Sequence, residues 1–443
     1  NDYRKEYQKV HDRTRVKQQY NAALRVQGKS LSSNIVLNYS DDNAGVNKES
    51  YRSLTFKYKG DLKAAKWLDL SFGVNVLNNR NKLHNFQDYY GSINSFLPYQ
   101  SMYDEDGNLA GLEADVYLGE KAFDNADYGL KDHSYNLVDE MNRNFRKYRY
   151  TNTRTYIHSL FKLLPGWTAQ AQFQYEDISS RSESYYEADS YFVRHLYNLY
   201  TTASSVMKWV DDKSKDWWGA DLDFDAYMAD PDHYGKVQVP DVQTTHHLPD
   251  GAIQTTTNTH SQYYTLRTQS RYARTLFEKH DIDLLAGFEY RQTHTSSDNG
   301  LLYGYDNQTL TNNNVLTDWN FINRPSGKSV LGSNYTIYGA PRSFATTDVL
   351  HRFYSIYAIG NYVYDRRYSL SGSYRVDKCD LFGTDPKFRG RPLWSVGGSW
   401  NANNEAFMQP YTWIDALKLR VSYGLTGNID SNVSSYLTAT FYK

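Results

Sequence analysis

Residues 368–377 read "YSLSGSYRVD". Tyr368, Leu370, Gly372, Tyr374 and Val376 alternate with Ser369, Ser371, Ser373, Arg375 and Asp377. A period of two with unlike sets is the mark of a strand with one apolar and one wet face. The pattern recurs. Leu54, Phe56 and Tyr58 alternate with Thr55, Lys57 and Lys59, and Leu68, Leu70, Phe72, Val74 and Val76 alternate with Asp69, Ser71, Gly73 and Asn75. In "WTAQAQFQYE" the series Trp167, Ala169, Ala171, Phe173, Tyr175 alternates with Thr168 and three glutamines. Similar runs start at Tyr20, Asn34, Asp281 and Leu417. With weaker runs near 152–163, 262–275, 351–364, 392–402 and 434–443, the chain is expected to hold about 13 strands.

Many of these strands are about 10 residues long, as a tilted bilayer-spanning strand must be, where globular strands average about 5–6. The prolines avoid the expected strand interiors. Short connections such as "LLPG", "FEKH" and "DRR" alternate with long ones at about 78–151, 178–261 and 292–350. Short turns on one side and long loops on the other are the pattern of an outer-membrane barrel. The expected fold is therefore all-β: an antiparallel transmembrane β-barrel whose apolar face meets lipid and whose polar face, with Arg375 and Asp377, meets a lumen. Bacterial barrels of one chain close with an even number of strands, and open edges are not tolerated in hydrocarbon. Residues 1–443 are thus expected to be an arc of a larger barrel. The chain begins with Asn1, and its last residues, "SSYLTATFYK", read as a strand in progress.

Composition sharpens this picture. The chain holds 42 tyrosines, and aromatic residues make up 16%. A greasy ring with a polar tip suits the membrane edge, where barrels carry aromatic girdles, although a Tyr-rich soluble sandwich would share the trait. Mean hydropathy is −0.74, too polar for a bundle of membrane helices. The net charge of −1 gives no nucleic-acid footprint. Cys379 is the single cysteine, so no internal disulfide forms.

The stretch 351–424 resembles a known family. Its segments are "NYVYDRRYSLSGSYRVDKCDLFG", "RGRPLWSVGGSWNANNEAFM" and "LKLRVSYGLTGN". These are similar to the barrel signature of SusC/RagA-type TonB-dependent outer-membrane transporters of Bacteroidetes, although "KCD" stands where the family often has serines. The resemblance is specific over this stretch and diffuse elsewhere. It implies a plugged barrel of about 22 strands, a TonB contact carried by the plug and a SusD-like surface lipoprotein as partner. No segment here reads as the plug, and Tyr20–Val26 reads as the second strand of such a barrel.

Candidate site residues follow from this frame. Trp209, Trp217, Trp218 and Trp319 lie in long loops, where they suit sugar stacking, a partner surface or simple loop packing. Arg375, Asp377, Arg420 and Glu289 are expected to line the lumen, against the pore or the plug. Asp104, Asp106 and Asn108, and separately Asp221, Asp223 and Asp225, are oxygen-rich enough for structural calcium. Leu109 stands where a calcium loop needs Gly, so an ordinary turn competes. The adjacent pair His246–His247 lacks the spacing of a helical zinc site and is expected on a surface loop. No G-x-S-x-G, P-loop or H-E-x-x-H motif occurs, so no enzyme is expected. The expected function is TonB-dependent import of a bulky nutrient, a glycan or an oligopeptide. The competing reading is a barrel component docked in a surface or secretion assembly.

Overall fold

The structure, a computed structural model, describes residues 3–84, 101–113, 128–132, 134–212, 224–233, 236–327, 329–331, 337, 340, 345–380, 390–408, 410–411 and 413–427. The strands are β1 (Lys17–Gln27), β2 (Leu31–Asp42), β3 (Ser50–Ala65), β4 (Leu68–His84), β5 (Leu112–Glu113), β6 (Ser134–Tyr135), β7 (Phe145–Leu164) and β8 (Trp167–Tyr186). They continue with β9 (Thr201–Asp211), β10 (Lys236–His246), β11 (Ala252–Leu276), β12 (His280–Tyr305), β13 (Thr346–Tyr364), β14 (Tyr368–Cys379), β15 (Pro392–Asn401) and β16 (Lys418–Leu425). The helices are α1 (Tyr3–His11), α2 (Leu137–Arg143), α3 (Tyr191–Leu199), α4 (Phe224–Ala229) and α5 (Trp319–Asn323). None is long and apolar enough to cross a membrane.

One antiparallel sheet holds 12 strands in the order β1-β2-β3-β4-β7-β8-β11-β12-β13-β14-β15-β16. Every run expected between residues 20 and 424 lies in it. The run 434–443 lies outside the described residues. Register joins the apolar sets into one continuous face. Leu24 pairs with Ile35, Ile35 with Tyr58, Tyr58 with Val74 and Phe72 with Ile157. Phe173 pairs with Leu266, Phe288 with Ile356 and Val396 with Tyr423. A one-residue slip at any seam would bring polar residues onto this face, so pattern and register enforce each other.

The strands run further than the alternation suggested. β11 and β12 are 25 and 26 residues long, and β4, β7, β8 and β13 also extend into the expected loops. The extensions carry Thr, Ser, Asn and Gln on both faces, as in "QTTTNTHSQ" at 254–262. Above the lipid both faces are wet, so the period of two disappears while the ladder continues. The long connections are not structureless either. Their described residues fold into a cap, which contains nearly all of the buried core found among the described residues. Phe192, Val193, Leu196 and Leu199 of α3 pack with Tyr200, Leu248, Ile253, Leu301, Tyr303 and Ile322. A smaller cluster joins Met102, Tyr135, Leu137, Met141 and Tyr191.

At the opposite rim, the three-residue turns 277–279 and 365–367 hold Phe277, Glu278, Asp365 and Arg366 at positive φ. Such conformations cost non-glycine residues about 1–2 kcal/mol each. The second turn is tied down: Asn401 and Asn404 side chains donate to Arg366 O at 2.9 and 2.8 Å. Glu405 accepts from Tyr368 at 2.6 Å, Trp400 at 3.0 Å and Arg367 at 3.1 Å. The signature segments "YDRRY" and "WNANNEAF" therefore meet around one carboxylate.

Candidate functional site

The polar face of the sheet carries several hydrogen-bonded charge pairs and one longer polar chain. Arg267 Nε donates to Glu289 at 2.9 Å, and Arg271 holds Asp283 by two bonds of 2.8 Å. Arg375 donates to Asp377 at 2.7 Å and to Ser355 at 2.9 Å. Tyr357 donates to Gln269 at 3.1 Å, two strands away, and Gln269 donates to Gln170 at 2.8 Å. Gly287 makes this reach feasible. It lies between Tyr357 and Gln269 in register, and a Cβ there would sit 2.4 Å from the Tyr357 ring. Arg420 pairs in register with Ser399 on the same face. All four lumen candidates thus share the polar face. Arg375 and Asp377 form one unit, Glu289 belongs to Arg267, and Arg420 stands apart on β16. Exposed ion pairs of this kind add little stability; their effect is to fix a charged, hydrogen-bonding surface in place.

The cap positions the loop candidates differently. Trp319 opens α5, packs on Tyr303 with ring centroids 5.6 Å apart and donates to Asn314 O at 3.3 Å. It is a packing residue of the cap core. Trp209 lies on the β9–β10 ribbon and stacks on His233 with centroids 4.4 Å apart. Met207, Trp209, Val237 and Val242 of that ribbon are exposed. Pro240 sits within β10, opposite Met207 in a ribbon that has two strands among the described residues, so both are edge strands, where proline is tolerated. Trp217, Trp218, Asp221 and Asp223 lie outside the described residues, as does the side chain of Asp225 in α4.

At 104–108 the turn closes on itself. Asp104 Oδ1 accepts from Asn108 N at 2.8 Å and Oδ2 from Asn108 Nδ2 at 3.3 Å, while Gly107 N donates to Asp104 O. Asp104 is thereby engaged by its own turn. Among the described residues no group of three His, Cys, Asp or Glu side chains could hold a metal.

The histidine pair, expected on a surface loop, is instead part of the cap. His247 is buried, with Nε2 3.0 Å from Thr202 Oγ1 and Nδ1 2.8 Å from Asp318 Oδ2. The order Thr–His–Asp looks like a nucleophile relay. The His247 ring, however, lies flat on Phe321 at 3.5 Å. These bonds tie β9, β10 and α5 together. Asp318 also caps α5, accepting from Phe321 N at 3.0 Å, and this bond, followed by that to His247, holds its carboxyl below the usual range. In α2, burial pushes Glu140 upward although it accepts from Tyr191 N at 2.6 Å. Both groups brace the cap. The missed signal for α3 was Ser190 before apolar residues at helical spacing; Ser190 accepts from Val193 N.

A shallow concavity of about 1080 Å³ lies on the sheet over Ala286, Ala358, Gly360 and Gly372, between Trp167 and Trp394. These residues belong to the apolar face, so the hollow faces lipid and not the lumen.

No family model matches the chain. By sequence it is 27% identical over 158 residues to the TonB-dependent receptor P26 of Formosa agariphila, a match covering 36% of this chain and 14% of that protein. It is 28% identical over 159 residues to TonB-dependent receptor P39 of the same organism, covering 35% and 13%. By fold it matches the RagAB peptide importer in its closed-closed state, with a TM-score of 0.61 at 14% identity, over 98% of this chain and 39% of that one. The open-open state gives a TM-score of 0.62, covering 98% and 38%. The chain thus spans well under half the length of the proteins it matches. By sequence the chain is thus similar to part of two TonB-dependent receptors, and it shares the fold of part of the RagAB peptide importer.

Proposed function

We propose that this chain forms part of the wall and cap of an importer for a bulky nutrient, a glycan or an oligopeptide. TonB energy would reach it through a plug carried elsewhere in the protein. The observation that carries the reading is the two-faced wall: apolar residues outside, and a fixed network of Arg, Glu, Asp, Gln and Tyr inside. Such a lining offers many hydrogen bonds, each modest, to a large polar cargo. The fold it shares with the RagAB peptide importer points the same way.

A SusD-like lipoprotein is the proposed partner, and the exposed β9–β10 ribbon is its proposed seat. Trp209, Met207 and Val242 are the kind of apolar and aromatic anchors that concentrate binding energy at interfaces. The docking-only alternative shares this surface but needs no energised uptake. The deciding experiment is uptake of labelled oligopeptides and oligosaccharides by cells with the full-length gene, with and without a working TonB system. Uptake lost with TonB and with the gene supports import. Uptake unchanged by deletion of the gene, with the protein still bound to a surface complex, supports docking.

A further inference from the structure

Four arginines stand in one row on the lipid-facing side of the wall. Arg52 pairs with Arg80, Arg80 with Arg149 and Arg149 with Arg181, across β3, β4, β7 and β8. All four are exposed. Their face is set by parity: Arg52 follows Leu54 and Phe56, Arg80 follows Val76, and Arg149 follows Ile157. In-register neighbours are about 5 Å apart, and like charges directly opposite destabilise a sheet. The next outward row adds Lys82 opposite Lys147.

Local acids do not balance this charge. Asp41 holds Arg52 at 3.1 Å, and Glu183 is shared between Arg181 at 3.7 Å and Lys147 at 3.8 Å. The next carboxylate inward on the same face of β8, Asp177, is taken by His260 and Tyr175. The side chains of Arg80 and Arg149, at the centre, have no hydrogen bond or ion pair among the described residues. The row also climbs. Arg52 lies two residues beyond Leu54, Arg80 four beyond Val76 and Arg181 six beyond Tyr175, because tilted strands carry a register row obliquely across the membrane edge. It therefore crosses the depth of the outer-leaflet headgroups.

We propose that this row binds the phosphates of an outer-leaflet glycolipid of the lipid A type. Guanidinium forks match phosphate oxygens two by two, which a lysine cannot do. The proposal rests on the outer-membrane location and not on import. Asp41 and Glu183 would then orient the two end arginines, leaving the central pair for the ligand.

The test uses full-length protein, purified from outer membranes in mild detergent and stripped of lipid. Bis-phosphorylated lipid A, its dephosphorylated form and inorganic phosphate are each added, with binding read by native mass spectrometry. The expected result is retention of the bis-phosphorylated form, weakened about tenfold or more in R80Q/R149Q. R80K/R149K should fall between, and R25Q, on the lumen face, should bind like the parent. Equal binding by R80Q/R149Q, or of the dephosphorylated lipid, would overturn the proposal. So would competition by millimolar inorganic phosphate, which would mark a free-anion site. If the double variant does not fold, the single variants R80Q and R149Q give the same comparison.

Discussion

In the wall, Leu284, Leu370 and Val421 are 52%, 58% and 70% exposed; in the cap, Leu196, Leu301 and Ile322 are 1%, 2% and 0% exposed. Both sets are apolar, and both are buried in the cell. The wall leaves its burial to lipid and is held by a ladder in which every strand hydrogen-bonds its neighbour. The cap is built as a small soluble protein with a core of its own. Side-chain packing therefore decides stability in the cap, and solvent partition decides it in the wall.

The sharpest way to break this contrast is one truncation in each region. Leu196→Ala should cost about 2–5 kcal/mol, read as loss of hydrogen-exchange protection in α3, with the wall ladder still protected. Leu284→Ala should cost far less, since lipid refills the space. Equal losses would mean that the two regions unfold as one. Next comes polarity in the wall. Phe173→Arg, near the middle of the apolar belt, should cost about 2–4 kcal/mol in folding into vesicles, and Gln172→Arg, one residue away on the wet face, should cost little. A smaller effect is expected on the lumen face. Gly287→Val displaces the Tyr357 ring and should cost about 1–3 kcal/mol, visible as altered tyrosine fluorescence.

The smallest effect is one of pH. Because Asp318 is held below the usual carboxyl value of 3.8, its contribution is complete above that value. It is lost as pH falls through the lower, folded value. Acid melting of the cap below about pH 4 should thus be blunted in Asp318→Asn, which keeps an α5 cap but cannot titrate. An unchanged acid limb would show that other carboxylates govern it.

The wall was legible because one rule, apolar outside and polar inside, governs each lipid-spanning segment, as "YSLSGSYRVD" displays. Arg375, Asp377, Glu289 and Arg420 fall on the polar face for the same reason. The rule ends where lipid ends, so the upper parts of β11 and β12 were read as loop. Distance along the chain hid the cap: Leu196 meets Leu301 and Ile322 only after long excursions. The arginine row was equally hidden. Each arginine looks like one more rim residue until register aligns them, and register depends on connections that sequence pattern does not count.

The length of the β11–β12 hairpin has a consequence for what the cell surface presents. A strand of 26 residues, at about 3.4 Å per residue and tilted roughly 40°, rises to a height of about 65 Å, more than twice the apolar belt. The hairpin is a pier. It lifts the cap well clear of the lipid, so that a bulky probe meets Trp209 long before it could reach Arg80. Bulky labels applied to intact cells should mark cysteines placed on β9 and spare those placed beside the arginine row.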